Sequence, residues 1–125
     1  MRIAPSRLPD RQFIQGYGGG GFRVSEVRYL GAILVLPQRT LAWPVGGFGA
    51  IDQASLEPVL VCEPRPELLL LGCGPSLRAV PAALRQALKA AGLGVEAMDT
   101  GAACRTYNVL LLEERRVAAA LLPVD

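Results

Sequence analysis

Residues 67–122 read ELLLLGCGPSLRAVPAALRQALKAAGLGVEAMDTGAACRTYNVLLLEERRVAAALL, and the changes of period inside this stretch decide the fold. Glu67 to Gly72 is a short, continuous apolar run ending in glycine, the pattern of a strand covered on both faces. Pro81 to Ala91 predicts a helix. Pro81 suits the first helical position, and Gly92 suits the position just past the end, where a left-handed residue is needed. Leu84 and Leu88 are four apart, while Arg85 and Lys89 share the opposite side, so one stripe packs on a sheet. Gly94 to Met98 reads as the next strand. Asp99-Thr100 then offers side-chain oxygens to the first backbone N–H groups of a second helix, Ala102 to about Glu114. Its stripe is Ala103, Tyr107 and Leu111. Val117 to Leu122 closes the series as a strand before Pro123. The order strand, helix, strand, helix, strand implies a largely parallel sheet with right-handed crossovers.

Upstream of residue 52 the pattern differs, with no linker between the two parts. Phe13 and Ile14 precede the run Gly16-Tyr17-Gly18-Gly19-Gly20-Gly21. Phe22, Val24, Val27 and Tyr29 then alternate with charged residues, Ala32 to Leu36 is apolar up to Pro37, and Leu41 and Trp43 follow. Short β-prone runs bounded by glycine and proline read as strands joined by tight turns, so this part is expected to form an antiparallel β layer, a meander. Asp52 to Val61 holds a short helix, with Asp52 or Ser55 as cap and Pro58 in the first turn. The expected fold is therefore α/β, one domain over residues 1–125 with residues 1–9 set apart. It has three layers: helices on one face of the sheet, and β structure with one helix on the other.

Composition narrows the chemistry. At 125 residues, 51% apolar and with 13 basic against 11 acidic residues, the chain has the apolar content of a folded domain. Its charge is too balanced for a nucleic-acid partner. There is no histidine. That removes Ser-His-Asp and Cys-His nucleophile systems and most catalytic zinc sites. Cys62, Cys73 and Cys104 are odd in number and widely spaced, without a C-x-x-C, so neither a disulfide framework nor a zinc knuckle is expected. Cys62 at least reads as a small buried apolar residue. No apolar run is long enough to span a bilayer, and MRIAPSRLPD has no apolar segment of the secretory kind. A cytoplasmic protein without cofactor, metal or membrane insertion is expected.

Two polar stretches remain as candidate sites. Gly72-Cys73-Gly74-Pro75-Ser76 follows the most hydrophobic strand, where glycines can bring backbone N–H groups close to a phosphate. The dinucleotide fingerprint fails at Leu77, and the Gly-Lys-Ser/Thr of a phosphate loop is absent, which leaves Arg78 as an anion contact or the whole as a tight turn. The second stretch runs from Asp99 and Thr100 to Asn108, where a strand gives way to a helix. A helix starting near Gly101 puts Cys104 in its first turn, where the dipole lowers a thiol pKa. Arg105 is adjacent, and Asn108 lies four residues beyond Cys104 on the same face. A reactive thiolate or polar pocket follows from that arrangement. The competing and favoured reading is a capped helix with Cys104 packed inward and Arg105 in a structural ion pair. Gly18 to Gly21 reads as a β-turn. Trp43, Tyr17, Phe22 and Tyr29 read as core of the β layer rather than an exposed platform. That same layer is also a candidate surface for pairing two copies of the chain.

Glu67 to Gly72, the Pro81 helix and Gly94 to Asn108 resemble a small family long labelled a domain of unknown function. Its eukaryotic members include a mitochondrial assembly factor of respiratory complex I and an adipogenesis-associated protein. Ile14-Gln15-Gly16-Tyr17-Gly18, Phe22-Arg23-Val24 and Trp43 match the same pattern, and Asp99 to Asn108 is its most specific part. The resemblance implies a β+α/β/α fold around a mixed sheet of five strands, one antiparallel to the rest. It supplies no catalytic residues. It implies a non-enzymatic module that binds a protein partner, as an assembly or stability factor for a respiratory or membrane-associated complex. The alternative is a small-molecule site or weak enzyme, with Gly72, Cys73 and Gly74 facing Asp99, Thr100, Cys104, Arg105 and Asn108 across one cleft.

Overall fold

The computed structural model describes residues 11–125, and the N-terminal segment 1–9 set apart above lies outside them. The described chain begins with three short strands, β1 (Ile14–Gly18), β2 (Gly21–Val24) and β3 (Val27–Leu30), paired antiparallel as a meander. Both connections are two-residue loops with positive φ, the geometry whose twist matches a hairpin. Gly19 and Gly20 supply it without a Cβ penalty, at φ +61° and +80°. Ser25 and Glu26 occupy the second loop at +45° and +74°, where L residues are strained. Hydrogen bonds to Phe13, just before β1, and to Gln15 within it hold them there. The Ser25 backbone N–H donates to the Phe13 carbonyl (2.9 Å), and the Glu26 N–H donates to Gln15 Oε1 (2.7 Å). Gln15 Nε2 and Arg23 Nη2 both donate to the Glu26 carboxylate, at 2.7 and 3.0 Å, which holds it below its ordinary pKa.

The next two strands, β4 (Ile33–Val35) and β5 (Thr40–Ala42), leave the meander and form the edge of the central sheet. This corrects the reading that placed the whole N-terminal part in one β layer. The cause is long-range: Ile33, Leu34 and Val35 pair with Leu121, Ala120 and Ala119 of β8 (Val117–Leu121). The sheet continues through β6 (Leu68–Gly72) to β7 (Gly94–Met98), in the order β5-β4-β8-β6-β7. β8, β6 and β7 are mutually parallel, and β4 is antiparallel to β8 and to β5. Four strands therefore run one way and β4 the other, the mixed five-stranded sheet that the family resemblance implied.

β8 sits in the middle of the sheet, and all five of its residues are buried. Its alanines contribute alternately to two cores, Ala118 and Ala120 on one face and Ala119 on the other. Leu69 and Leu71 join the first core and Leu70 the second. The apolar run thus has no solvent face, and trimming one such leucine to alanine costs about 2–5 kcal/mol. The first face is covered by α1 (Glu57–Val61) and α2 (Ala82–Ala90), which contribute Val59 and Leu88, together with Trp43. The meander and α3 (Thr100–Leu112) cover the second face with Ile14, Phe22, Val24, Ala103, Tyr107 and Leu111. The fold is therefore α/β in three layers, as expected from the order of elements.

Local signals behaved as their chemistry predicts, with small shifts. The helix expected from Asp52 begins only at Glu57, after a 3-10 turn (Ala54–Leu56), with Pro58 in its first turn. Asp52 and Ser55 exchange hydrogen bonds ahead of it but neither caps it, Leu56 standing at its N-terminus without a side-chain bond. Pro81 stands one residue before the helix rather than at its first position, and its carbonyl accepts from Arg85 N at 3.0 Å. Gly92, at φ +88°, ends α2 as expected: its N–H donates to the Lys89 carbonyl and that of Leu93 to Leu88, both at 2.9 Å. Trp43 and Phe22 are buried, Trp43 Nε1 donating to the Ser55 carbonyl at 2.9 Å. Cys62 was expected to be a buried apolar residue and is instead half-buried at the end of α1. Cys73 and Cys104 are the buried cysteines.

Candidate functional site

β6, β7 and β8 end on the same side of the sheet, and the first candidate segment meets the second there. Cys73 N donates to the Met98 carbonyl (2.8 Å), Thr100 N to the Gly74 carbonyl (2.9 Å) and Leu122 N to the Gly72 carbonyl (3.0 Å). The Thr100 hydroxyl, wholly buried, closes the arrangement. It accepts from Gly74 N at 2.9 Å and donates to the Leu122 carbonyl at 2.7 Å. One side chain thus satisfies a donor and an acceptor on two different strand ends, groups that would each be expensive to bury unpaired. Gly72 must be glycine for this contact, because a Cβ there would lie 2.8 Å from Leu121 Cδ2 and 3.0 Å from Thr100 Oγ1. Asp99 caps α3, its Oδ1 accepting from Ala102 N at 2.9 Å. Gly72, Cys73, Gly74, Asp99 and Thr100 are therefore together, and they tie the strand ends to one another and to the start of α3. The Gly74 N–H is engaged by Thr100 rather than turned toward an anion, and the Arg78 guanidinium lies 4.8 Å over the Phe48 ring.

Cys104, Arg105 and Asn108 stand further along α3, beside the meander. Asn108 behaves as a strand partner for one residue: its Oδ1 accepts from Ile14 N (3.0 Å) and its Nδ2 donates to the Ile14 carbonyl (2.7 Å). This pairs the otherwise open side of β1 with the helix. Arg105 makes no ion pair among the described residues. Its Nη1 donates to the Tyr17 hydroxyl at 3.3 Å. That hydroxyl lies so close to Gly101 that a Cβ there would be 2.5 Å away. α3 begins at Thr100, so Cys104 starts the second turn rather than lying in the first. Burial pushes its thiol up to about 12, against the pull of the Arg105 charge. Desolvation outweighs the charge and the helix dipole, and the thiol is protonated at neutral pH, the opposite of an activated nucleophile.

The two segments touch, yet they line separate concavities. One, of about 150 Å³, is bounded by Ile14, Gly16, Tyr17, Cys104, Arg105 and Asn108. The other, of about 330 Å³, lies at the strand ends among Val45, Phe48, Cys73, Gly74, Arg78 and Leu122. Both fall at or below the small end of the range for sites that enclose a drug-sized ligand. Among the described residues, no cluster of cysteine and carboxylate side chains is placed to hold a metal ion. Tyr17, expected in the core of the β layer, is instead 42% exposed, because its ring reaches over the start of α3 rather than into the sheet. Tyr107 is wholly buried, its hydroxyl has no hydrogen-bond partner among the described residues, and burial raises its pKa. Its place on the apolar stripe was legible, but the fate of its oxygen was not.

Comparison with known proteins places this arrangement among relatives. A family model described as a protein of unknown function (DUF498/DUF598) matches residues 14–122. The chain is 34% identical over 123 residues to mouse NADH dehydrogenase (ubiquinone) 1 alpha subcomplex assembly factor 3, covering 98% of this chain and 66% of that protein. It thus spans about two thirds of the length of that curated relative. It is 39% identical over 111 residues to an uncharacterized protein of Rhodobacter capsulatus, covering 89% of this chain and 84% of the other. Among solved structures, one described as an outer membrane protein from Bartonella henselae superposes with a TM-score of 0.85 at 37% identity. That match covers 94% of this chain and 99% of that one.

Proposed function

The chain belongs to the DUF498/DUF598 family of proteins of unknown function, and from that premise we propose that it works without catalysis, by binding other proteins. In this reading it is a cytoplasmic assembly or stability factor for a respiratory or other membrane-associated complex. The observation that carries the reading is how its polar side chains are employed. Thr100, Asp99 and Asn108 hydrogen-bond backbone groups, Cys73 and Cys104 are buried, and the Cys104 thiol keeps its proton. A general base or nucleophile would need a reachable group with a pKa near the working pH. Further support comes from the mouse relative, which is named as an assembly factor of NADH dehydrogenase. No helix among the described residues is long and apolar enough to cross a membrane.

The test is deletion of the chain in its native cell, followed by native-gel quantification of the assembled NADH dehydrogenase. The expected result is a reduced level of the complex, restored by the wild-type chain and by Cys104→Ala. Full assembly without the chain, or rescue that requires the Cys104 thiol, overturns the proposal. A second reading is favoured by one feature, the concavity beside Arg105 and Tyr17. There the chain would take a small molecule at the Arg105 guanidinium. A ligand that copurifies with wild type and is lost from Arg105→Ala would support this reading over the first.

A further inference from the structure

α3 and Glu113, the residue that ends it, carry a row that turns away from both cores. Arg105, Val109 and Glu113, at i, i+4 and i+8, are exposed, and Leu112 flanks the row. Val109 and Leu112 keep 54% and 52% of their surface in water, although α3 already buries Ala103, Cys104, Tyr107 and Leu111 on its other side. A second apolar strip on a helix that has packed its first is the pattern of an interface. The charges that bracket it say what covers it. Arg105 lies four residues before Val109 and Glu113 four residues after, so the row reads positive, apolar, negative along the helix. Run antiparallel to itself, such a row is its own complement. Neither end is neutralised among the described residues: Glu113 makes no ion pair, and the Arg105 guanidinium hydrogen-bonds only the Tyr17 hydroxyl.

We propose that α3 packs antiparallel on α3 of a second copy, about a twofold axis passing beside Val109, to form a homodimer. In that arrangement Val109 of one copy meets Val109 of the other. With a rise of about 1.5 Å per residue, the charged residues fall about 6 Å to either side of the axis. Arg105 of each copy is then level with Glu113 of the other, and the pair is made twice by symmetry. Leu112 lies beside the aliphatic stem of the opposite Arg105, and the Arg105–Glu113 pairs fix the register at the rim of the apolar centre. The proposal is independent of the assembly role and differs from pairing through the meander, which α3 does not share.

Sedimentation velocity over a wide concentration series, with the whole chain, tests it. Wild type should show a monomer–dimer equilibrium. Arg105→Glu and Glu113→Arg should each weaken the dimer about tenfold or more, by placing like charges opposite one another. The double reversal should restore it, a result that a loss of folding cannot imitate. Val109→Cys, in a Cys62→Ser background, should oxidise to a covalent dimer across the axis. Fluorescence of the buried Trp43 checks that each variant is folded. A wild type that stays monomeric throughout, single reversals without effect, or a double variant as weak as the singles would each overturn the proposal.

Discussion

Replacing Thr100 by valine keeps the volume and the branched shape and removes one oxygen. That oxygen accepts from Gly74 N at 2.9 Å and donates to the Leu122 carbonyl at 2.7 Å, in a residue with no exposed surface. In the valine variant both backbone groups are left unpaired where water cannot reach them. Each such group costs about 1–3 kcal/mol, so the pair predicts a loss of about 2–6 kcal/mol. That is a large share of the roughly 5–15 kcal/mol that holds a domain folded. Thr100→Ser makes the opposite cut, keeping the hydroxyl and removing a methyl group, and should lose only about 1 kcal/mol. Urea unfolding followed by Trp43 fluorescence measures both, since Trp43 is the only tryptophan and is buried. The m-value should be unchanged, because the surface exposed on unfolding is the same. If valine proves as stable as serine, the hydroxyl does not hold the strand ends, and the structural reading of this site is wrong.

Three further outcomes follow from the same geometry. Asn108→Ala removes both hydrogen bonds to Ile14 and should destabilise by about 1–2 kcal/mol, less than Thr100→Val because the site is only part-buried. Amide exchange at Ile14 should accelerate more than exchange in β6, and uniform acceleration would show that Asn108 does not tie β1 to the helix. In the folded protein an aromatic disulfide reagent should modify half-buried Cys62 first, with Cys73 and Cys104 protected until unfolding. Rapid labelling of Cys104 would restore the reactive-thiol idea. Stability should fall as pH rises from the ordinary thiol value of 9.0 toward about 12, because the unfolded chain loses the Cys104 proton while the folded chain retains it. The raised Tyr107 hydroxyl acts in the same direction. Cys104→Ala should flatten the decline, and an equally steep decline in that variant would count against a buried, protonated thiol.

The C-terminal half was legible because its signals are local. Leu68 to Leu71 has no polar face to offer, Gly92 and Asp99 mark helix ends by their own chemistry, and Ala103, Tyr107 and Leu111 keep a helical period. What the sequence hid depends on partners far along the chain. Ile33 to Val35 looks like one more strand of the meander until β8 is in place to receive it. Asn108 reads as a pocket residue because nothing near it in sequence shows that Ile14 will come alongside. The candidate residues at the strand ends do meet, yet their hydrogen bonds run to one another. Spacing alone does not distinguish a loop that cradles a ligand from one that clasps its neighbour. Cys62 shows the same limit, since which thiol is buried is set by the layers packed over it, whereas Cys104 packs inward as the favoured reading had it.

The central claim is that the polar machinery at the strand ends supports the fold and that the protein acts through its surface. The most direct measurement is mass spectrometry of the chain isolated under native conditions from its own cells, with bound proteins and small molecules quantified together. The account predicts a protein partner retained equally by wild type and Cys104→Ala, with no stoichiometric small molecule. A small molecule bound one to one by wild type and lost from Cys104→Ala, with no protein above background, would contradict it.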